Sequence, residues 1–500
     1  LHKRYLLLIL GIAAILLCLA ARSKPIGYLH SWNQITTLTH ISAIVDDPAS
    51  WHLPHDRVTP LPHPIKTIQV AKPYDDFRVF EEFPLYHLLA AAVSHLGMSV
   101  EDAGRILSLL FWGLGAVGIY MVATLAAQPA VAALTLLLYC CSFPVAYYGV
   151  AIMSDTAMTT LWIWSLLLLG RSRGLTNNAA IVSGLCCALF SGLFKSYGLL
   201  SLVPWGITAL GAMVTHRPQR SEKPPKYGLI FCGIALAAAP TIAWHFVSNT
   251  HGGHQEFESH SLTKKLLMLT SWDFWNALQK GYFRYLSYIP GSYTLIAGIC
   301  WLRARQYRRI PNVIWLAALS SISFIFLTSD KIPHHDYYLL MPAVPLFVIA
   351  ASITSFSLQE LASRRRIAAT VALVTAIAIP SFLNLKKALT ENSDVLACAQ
   401  LLASTTDHQE LVGIYSDSSR YNSINFYARR FGVRVENETH PLAQYLQTGV
   451  RYIVTNLPPH EYERFHHWLI HQKAPTMLRQ ITAPDYKGLS RTCAVFDFTR

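Results

Sequence analysis

Two adjacent glutamates, Glu81 and Glu82, stand directly ahead of the apolar run FPLYHLLAA, and a lone aspartate, Asp155, opens a second run in IMSDTAMTTLWIW. Lys195 heads KSYGLL, and Lys331, His334, His335 and Asp336 crowd into KIPHHDYYLL. A carboxylate beside apolar surface suits a general base, because it can take the proton of a hydroxyl as a bond forms. Lysine and histidine suit the opposite task, holding a phosphate or another departing anion. Each residue also has a plainer reading. Asp155 fits a helix cap as well as a site; Asp46, Asp47, Asp75 and Asp76 fit solvated or capping positions; Arg105, at the outer end of a span, fits snorkelling to lipid headgroups. Trp32, Tyr86, Tyr337 and Tyr338 fit an aromatic belt at a membrane surface.

The elements that position these residues are membrane spans. Of the 500 residues 52% are hydrophobic and only 14% charged, against about 25% charged in soluble proteins. Runs near the roughly 20 residues that cross a bilayer occur at about 5–22, 105–127, 130–150, 156–170, 178–194, 197–214, 227–247, 286–302, 311–328, 338–356 and 367–385. This predicts a polytopic α-helical membrane protein of about eleven spans over residues 1–387. The first run also has the shape of a signal peptide, but its length favours retention as a span.

The net charge of +13 would suit nucleic acid if it were clustered on a soluble face. Instead the loops 171–177, 215–226, 303–310 and 359–366 carry the Lys and Arg residues, while the short alternate connections hold only Lys195 and Lys331. That asymmetry is the positive-inside pattern. It predicts a cytoplasmic N-terminus, no nucleic-acid partner, and an outer face holding loop 23–104, the chemically suited residues above and everything after about 388.

From 388 to 500 the composition turns soluble. ELVGIYS, VRYIVTN and CAVFDFT read as strands; NSDVLACAQLLAS, YNSINFYARR and HEYERFHHWLIHQ read as helices, so a small extracytoplasmic α/β domain is expected. The histidines and glutamates of the last helix fit a solvated face, and NET at 437–439 fits a glycosylation sequon. Seven of nine cysteines fall in apolar runs as small hydrophobes. Cys398 and Cys493, alone in the tail, are expected to form a disulfide if that compartment is oxidising.

The motifs HSWNQITTLTHIS (30–42), EFPLYHLLAA (82–91), IMSDTAM (152–158), KSYGLL (195–200) and HDYYLLMPAVP (335–345), in that order on one face, resemble the C-type integral-membrane glycosyltransferases. The likeness is to the bacterial lipopolysaccharide-glycosyltransferase-like branch and, more distantly, to aminoarabinose transferases and protein O-mannosyltransferases. It implies a polyprenyl-phosphate sugar as donor, a glycan, lipid or protein hydroxyl as acceptor, and a site on the outer, periplasmic surface of a bacterial inner membrane. On this resemblance Glu82 and Asp155 are the catalytic carboxylates, with Asp46, Asp47 and Glu81 as further candidates. Lys195, His335, His334, Lys331 and Arg105 would contact the donor phosphate, and His30, Trp32, Gln34, Tyr86, Tyr337 and Asp336 would line the substrate pocket. Mg²⁺ or Mn²⁺ could join the carboxylates through oxygen ligands, although no spacing demands it.

One departure stands out. Aminoarabinose and mannose transferases open the first loop with an Asp-Glu pair, whereas this chain has Gln34 and Thr36. Either Glu82 or Asp155 takes the proton, or Asp46 and Asp47 shift in, or transfer has been lost; Glu82 is the favoured base. A transporter of lipid-linked saccharides and a non-catalytic assembly subunit are the competing readings. Against the transporter stand the absence of a half-chain repeat and the clustering of charge at one surface.

Overall fold

In the computed structural model the described residues are, in the main, 3–21, 31–46, 82–125, 128–172, 174–215, 224–250, 262–285, 310–333, 335–359, 363–389 and, with short gaps, 393–498. His30, Asp47, Glu81, His334, the expected span 286–302, the sequon 437–439 and four residues of YNSINFYARR (Tyr421, Asn422, Asn425 and Phe426) lie outside them, as do the side chains of Trp32 and Asp336.

The chain forms two compact units, the first comprising Leu1–Cys18, Glu81–Tyr86 and Arg105–Lys387, the second Leu19–Phe80, His87–Gly104 and Ala388–Arg500. Every expected span apart from 286–302 carries a helix. In order these are α1 (Lys3–Ala21), α4 (Val100–Thr124), α5 (Pro129–Cys141) with its short continuation α6 (Phe143–Tyr148), α7 (Asp155–Gly170), α8 (Asn178–Phe194), α9 (Leu202–Thr215), α10 (Tyr227–Thr250), α13 (Asn312–Leu327), α14 (Leu340–Gln359) and α15 (Ser363–Ala388). Four stretches, 100–124, 196–214, 227–247 and 337–356, are long and apolar enough by length and composition to cross a membrane. The run 130–150 is broken at Ser142, whose extended backbone precedes Pro144, because proline has no N–H for the carbonyl four residues back and its ring clashes with it, so it is tolerated in the first turn of a new helix rather than inside the old one.

Four helices come from segments read as loop: α2 (Ser31–Asp46) and α3 (Leu85–Ser94) within 23–104, and α11 (Leu262–Thr270) and α12 (Trp272–Tyr285) within the connection after α10. Half the usual spanning length or a high polar content hid them.

In the first unit α7 packs along α8, α8 along α10, and α5 along α14. Lipid tails are as apolar as leucine, so such helices are held by close packing and interhelical hydrogen bonds rather than by escape from water. Gly184 of α8 shows the first: a Cβ there would stand 2.3 Å from the Trp205 ring of α9. The same indole shows the second, donating to the Ser165 hydroxyl of α7 at 2.9 Å. At one end of the bundle the Lys226 amide donates to the Leu175 carbonyl at 3.0 Å, so two of the basic loops meet there.

In the second unit a five-stranded sheet runs in the order β2 (Phe431–Arg434), β1 (Leu411–Tyr415), β3 (Tyr452–Leu457), β5 (Ser490–Asp497), β4 (Thr476–Pro484). β1 is parallel to β2 and β3, and β5 is antiparallel to β3 and β4. β1, β3 and β5 match the expected strands, as α16 (Ser393–Thr405) and α17 (Pro459–Gln472) match the expected helices. α17 turns Tyr462, Phe465 and Leu469 into a core with Ile453 and Phe496. Cys398 of α16 is bonded to Cys493 of β5, with Cα atoms 5.5 Å apart, within the range a disulfide requires. Beside this bond Asp394 accepts from Arg420 Nε at 3.0 Å, while Arg491 Nε donates to Asn456 Oδ1 at 2.8 Å. Arg491 Nε also lies 3.7 Å from Asp394 Oδ2, so this one buried carboxylate oxygen faces two buried arginines.

Candidate active site

The centre of the first unit's polar cluster is a single ion pair. Lys195 Nζ donates to Asp155 Oδ1 at 3.0 Å and to Oδ2 at 3.2 Å, with the two residues 8% and 2% exposed. Forty positions separate them in sequence, and the α7–α8 hairpin closes that gap. Asp155 is the first residue of α7, one past the N-cap position Ser154, and Ser154 makes no side-chain cap bond. The carboxylate is therefore committed to the lysine rather than to capping, while the positive end of the helix dipole favours its charge.

Lys195 sits in the connection after α8, where its extended backbone ends the helix and a 3₁₀ turn, Ser196–Ser201, begins. Its amide donates to Ser191 O at 3.1 Å, and Gly198 N donates to Lys195 O at 2.7 Å. This fold-back needs glycine, since a Cβ on Gly198 would stand 2.2 Å from the Ser191 carbonyl oxygen. Ser191 Oγ in turn donates to Met158 O at 2.9 Å, fastening the end of α8 to the first turns of α7. Burial disfavours the charged ammonium, but the Asp155 carboxylate, with Glu82 and the two tyrosines adding to it, outweighs burial and holds the Lys195 pKa well above its ordinary value. The ammonium stays charged.

Around it stand aromatic rings. Nζ lies 5.1 Å from the Tyr337 centroid and 5.3 Å from that of Tyr338, both within cation–π range. His335 packs 5.3 Å from Tyr337 and 6.1 Å from Tyr338; Tyr148 and Tyr197 close the far sides at 6.1 and 5.9 Å. The HDYY stretch forms a second 3₁₀ turn, Asp336–Leu339, entering α14, and the His335 amide donates to Lys331 O at 3.0 Å. Tyr337 and Tyr338 are only 5% and 6% exposed, and Tyr86 1%. The belt reading of these three tyrosines therefore gives way, since a belt faces outward and these rings are enclosed by protein.

An ammonium has three N–H donors. Asp155 takes two, and among the described residues the third meets no hydrogen-bond acceptor.

Glu82 is half-buried, and its charge acts on Lys195. The segment around it is pinned at two points: Phe83 packs edge-on against Trp244 at 5.0 Å, and the Tyr86 and Ser108 hydroxyls are 2.7 Å apart. Ser108 Oγ also donates to Ala151 O at 2.6 Å, tying α4 to the loop that leads into Asp155. Arg105, three residues before Ser108 on α4, is 5% exposed, and so is enclosed rather than spread over the protein's outer surface as snorkelling requires. Lys331 is half-buried at the start of the HDYY loop.

The other sequence candidates belong to the second unit. Gln34 is 4% exposed and Asp46 is exposed at the end of α2, while the His40 and His87 rings lie 5.4 Å apart. Among the described residues no group of three or more His, Cys, Asp or Glu side chains converges as metal ligands. Both Asp155 oxygens accept from the ammonium. Sequence reasoning assigned no role to Tyr148 and Ser108, which lie outside every motif, or to Tyr197 and Gly198, which lie within KSYGLL without a chemical signal of their own.

No family model matches this chain, and no curated protein sequence matches it. Solved structures do. The crystal structures of ArnT from Cupriavidus metallidurans, one apo and one bound to undecaprenyl phosphate, match over 99% of this chain and 98% of theirs, with TM-scores of 0.62 and 0.61 at 13% and 12% identity. The archaeal oligosaccharyltransferase AglB from Archaeoglobus fulgidus, in complex with an inhibitory peptide and a dolichol-phosphate, matches over 93% of this chain and 71% of its own at a TM-score of 0.51 and 10% identity. The mycobacterial arabinofuranosyltransferase AftD matches over 99% of this chain and 42% of its own length, at 14% identity. Over nearly its whole length, then, the chain shares a fold with ArnT and, over part of their longer chains, with AglB and AftD.

Proposed function

We propose that this chain is a membrane glycosyltransferase that moves a sugar from a polyprenyl-phosphate-linked donor to an acceptor hydroxyl at the outer face of a bacterial inner membrane. The observation that carries this reading is the buried Lys195 ammonium, held on both oxygens of Asp155 with the Tyr337 and Tyr338 rings 5.1 and 5.3 Å away. In a fold that holds undecaprenyl phosphate in ArnT, such a group is suited to a lipid phosphate.

The chemistry follows from the charges. The acceptor oxygen attacks the anomeric carbon, the bond from that carbon to the phosphate oxygen breaks, and the lipid phosphate leaves with the electron pair. Lys195 and His335 stabilise the growing negative charge on the phosphate, and they do so strongly because the site is buried. The hydroxyl proton goes to Glu82. Gln34 cannot take it, because an amide is no base at neutral pH, and Asp155 is engaged by Lys195. Asp155 acts as a positioning residue that keeps the ammonium charged and aimed. The acceptor belongs to the cell envelope, and the resemblance to lipopolysaccharide glycosyltransferases favours a lipid-borne glycan.

Glu82→Gln tests the assignment in membranes supplied with polyprenyl-phosphate sugar. The expected outcome is normal expression and donor binding with turnover reduced on the order of 10²–10⁴-fold, the usual contribution of a general base. Unchanged turnover would move the base elsewhere, and no transfer by the unaltered chain would favour a non-catalytic assembly subunit, the reading that the missing Asp-Glu pair supports.

A further inference from the structure

On α17 the helix is anchored by its inner face, and one pair of residues on its outer face has no part in that packing. His466 is turned to the protein, its ring 5.6 Å from Tyr462 and 5.7 Å from Phe496. His467 and His471, one turn apart, are both exposed. Their Nε2 atoms are nonetheless only 3.3 Å from each other, with ring centroids at 4.3 Å and planes inclined by 62°. Two imidazoles at this separation either share one proton in a hydrogen bond or direct two lone pairs at a common centre.

The distance fits both cases, and the second makes the pair a ready chelate. A tetrahedral zinc with Zn–N bonds of about 2.0–2.1 Å sets its nitrogen ligands about 3.3–3.4 Å apart, and spacing i, i+4 is the helical arrangement that puts two histidines on one metal. We propose that His467 and His471 form a two-imidazole chelate for a borderline divalent transition cation, Zn²⁺, Ni²⁺ or Cu²⁺. Imidazole ligands favour these ions over Mg²⁺ and Ca²⁺, which take oxygen. Among the described residues no third His, Cys, Asp or Glu completes the set, so water fills the remaining positions and the site is open to an exogenous ligand. It lies in the second compact unit and is independent of the sugar-transfer reading.

The test uses the full chain in detergent, purified without a polyhistidine tag and stripped with a chelator. Calorimetric titration with Zn²⁺ is expected to show one saturable site. The second imidazole binds as an intramolecular ligand, so His467→Gln or His471→Gln should each weaken that site by roughly 10²-fold. His460→Gln, at the exposed start of the same helix, should leave it unchanged. With Cu²⁺, electron paramagnetic resonance should report two imidazole nitrogens in the unaltered chain and one in either variant. Because both side chains are exposed, equal metal-free melting curves will show that the fold is intact. Saturable uptake that survives both substitutions, or none in the unaltered chain, would overturn the site and leave the pair as a simple hydrogen bond.

Discussion

Asp155→Asn removes one charge from a pair that the bundle has taken out of water. The ammonium it leaves behind is 8% exposed, with its two short bonds at 3.0 and 3.2 Å reduced to at most one neutral acceptor. Breaking a buried pair from one side costs about 3–5 kcal/mol, because the surviving charge stays desolvated. Lys195→Met leaves a buried carboxylate and should cost a similar amount. The double variant has no charge left to bury and should recover most of either loss, giving a coupling on the order of 3 kcal/mol. The assay is unfolding of the four proteins in mixed micelles by SDS titration, followed by tryptophan fluorescence. Undecaprenyl phosphate supplies a second handle. If its phosphate meets the third N–H of Lys195, it can stand in for the missing carboxylate, so at the lipid concentration that gives the unaltered chain about 2.7 kcal/mol, a hundredfold excess over its Kd, Asp155→Asn should be stabilised by more. His335→Ala should reduce that stabilisation. Additive single losses, within about 0.5 kcal/mol, would refute the coupling, and equal stabilisation of all variants by the lipid would refute the phosphate assignment.

Two further expectations follow. The Cys398–Cys493 bond closes a loop of 95 residues, so its removal by paired serine substitution should destabilise the second unit by roughly 2–4 kcal/mol; non-reduced peptide mass spectrometry should find the two cysteines linked, and alkylatable thiols at both positions would contradict the structure. Topology tags at about 172, 220, 306 and 363 should report cytoplasm and tags at about 60, 255, 332 and 450 the outer side, as the basic loops require; cytoplasmic signals from both 332 and 450 would remove the site from the outer surface.

The bundle was legible because a spanning helix must satisfy its own backbone and be apolar for most of its length, so α7, α8 and α10 lie almost where their runs do. α2 was not, although Ile35, Leu38 and Ile41 recur at helical spacing and are buried; three threonines and a histidine between them dilute the apolar signal. β4 escaped because it is an edge strand with nearly every residue exposed, and so lacks the alternation that marks a half-buried strand. β2, of four residues, is too short to show a period. The residue types of the site could be read one by one from their cost at membrane depth, but the partnership of Asp155 with Lys195 could not. It depends on the hairpin of α7 and α8 and on the close backbone approach that Gly198 allows. The tyrosines misled for a related reason, since sequence places an aromatic ring near a bilayer surface without telling whether the ring faces lipid or a pocket.

Sugar transfer from a lipid-phosphate donor is tested most directly by profiling lipid-linked sugars and envelope glycans in a strain lacking this chain. One polyprenyl-phosphate sugar should accumulate while one glycan loses the matching residue. The unaltered chain should reverse both changes, and Glu82→Gln, expressed to the same level, should reverse neither. Unchanged donor pools with an unchanged glycan profile would contradict the assignment, as would full restoration by Glu82→Gln for the role given to that carboxylate.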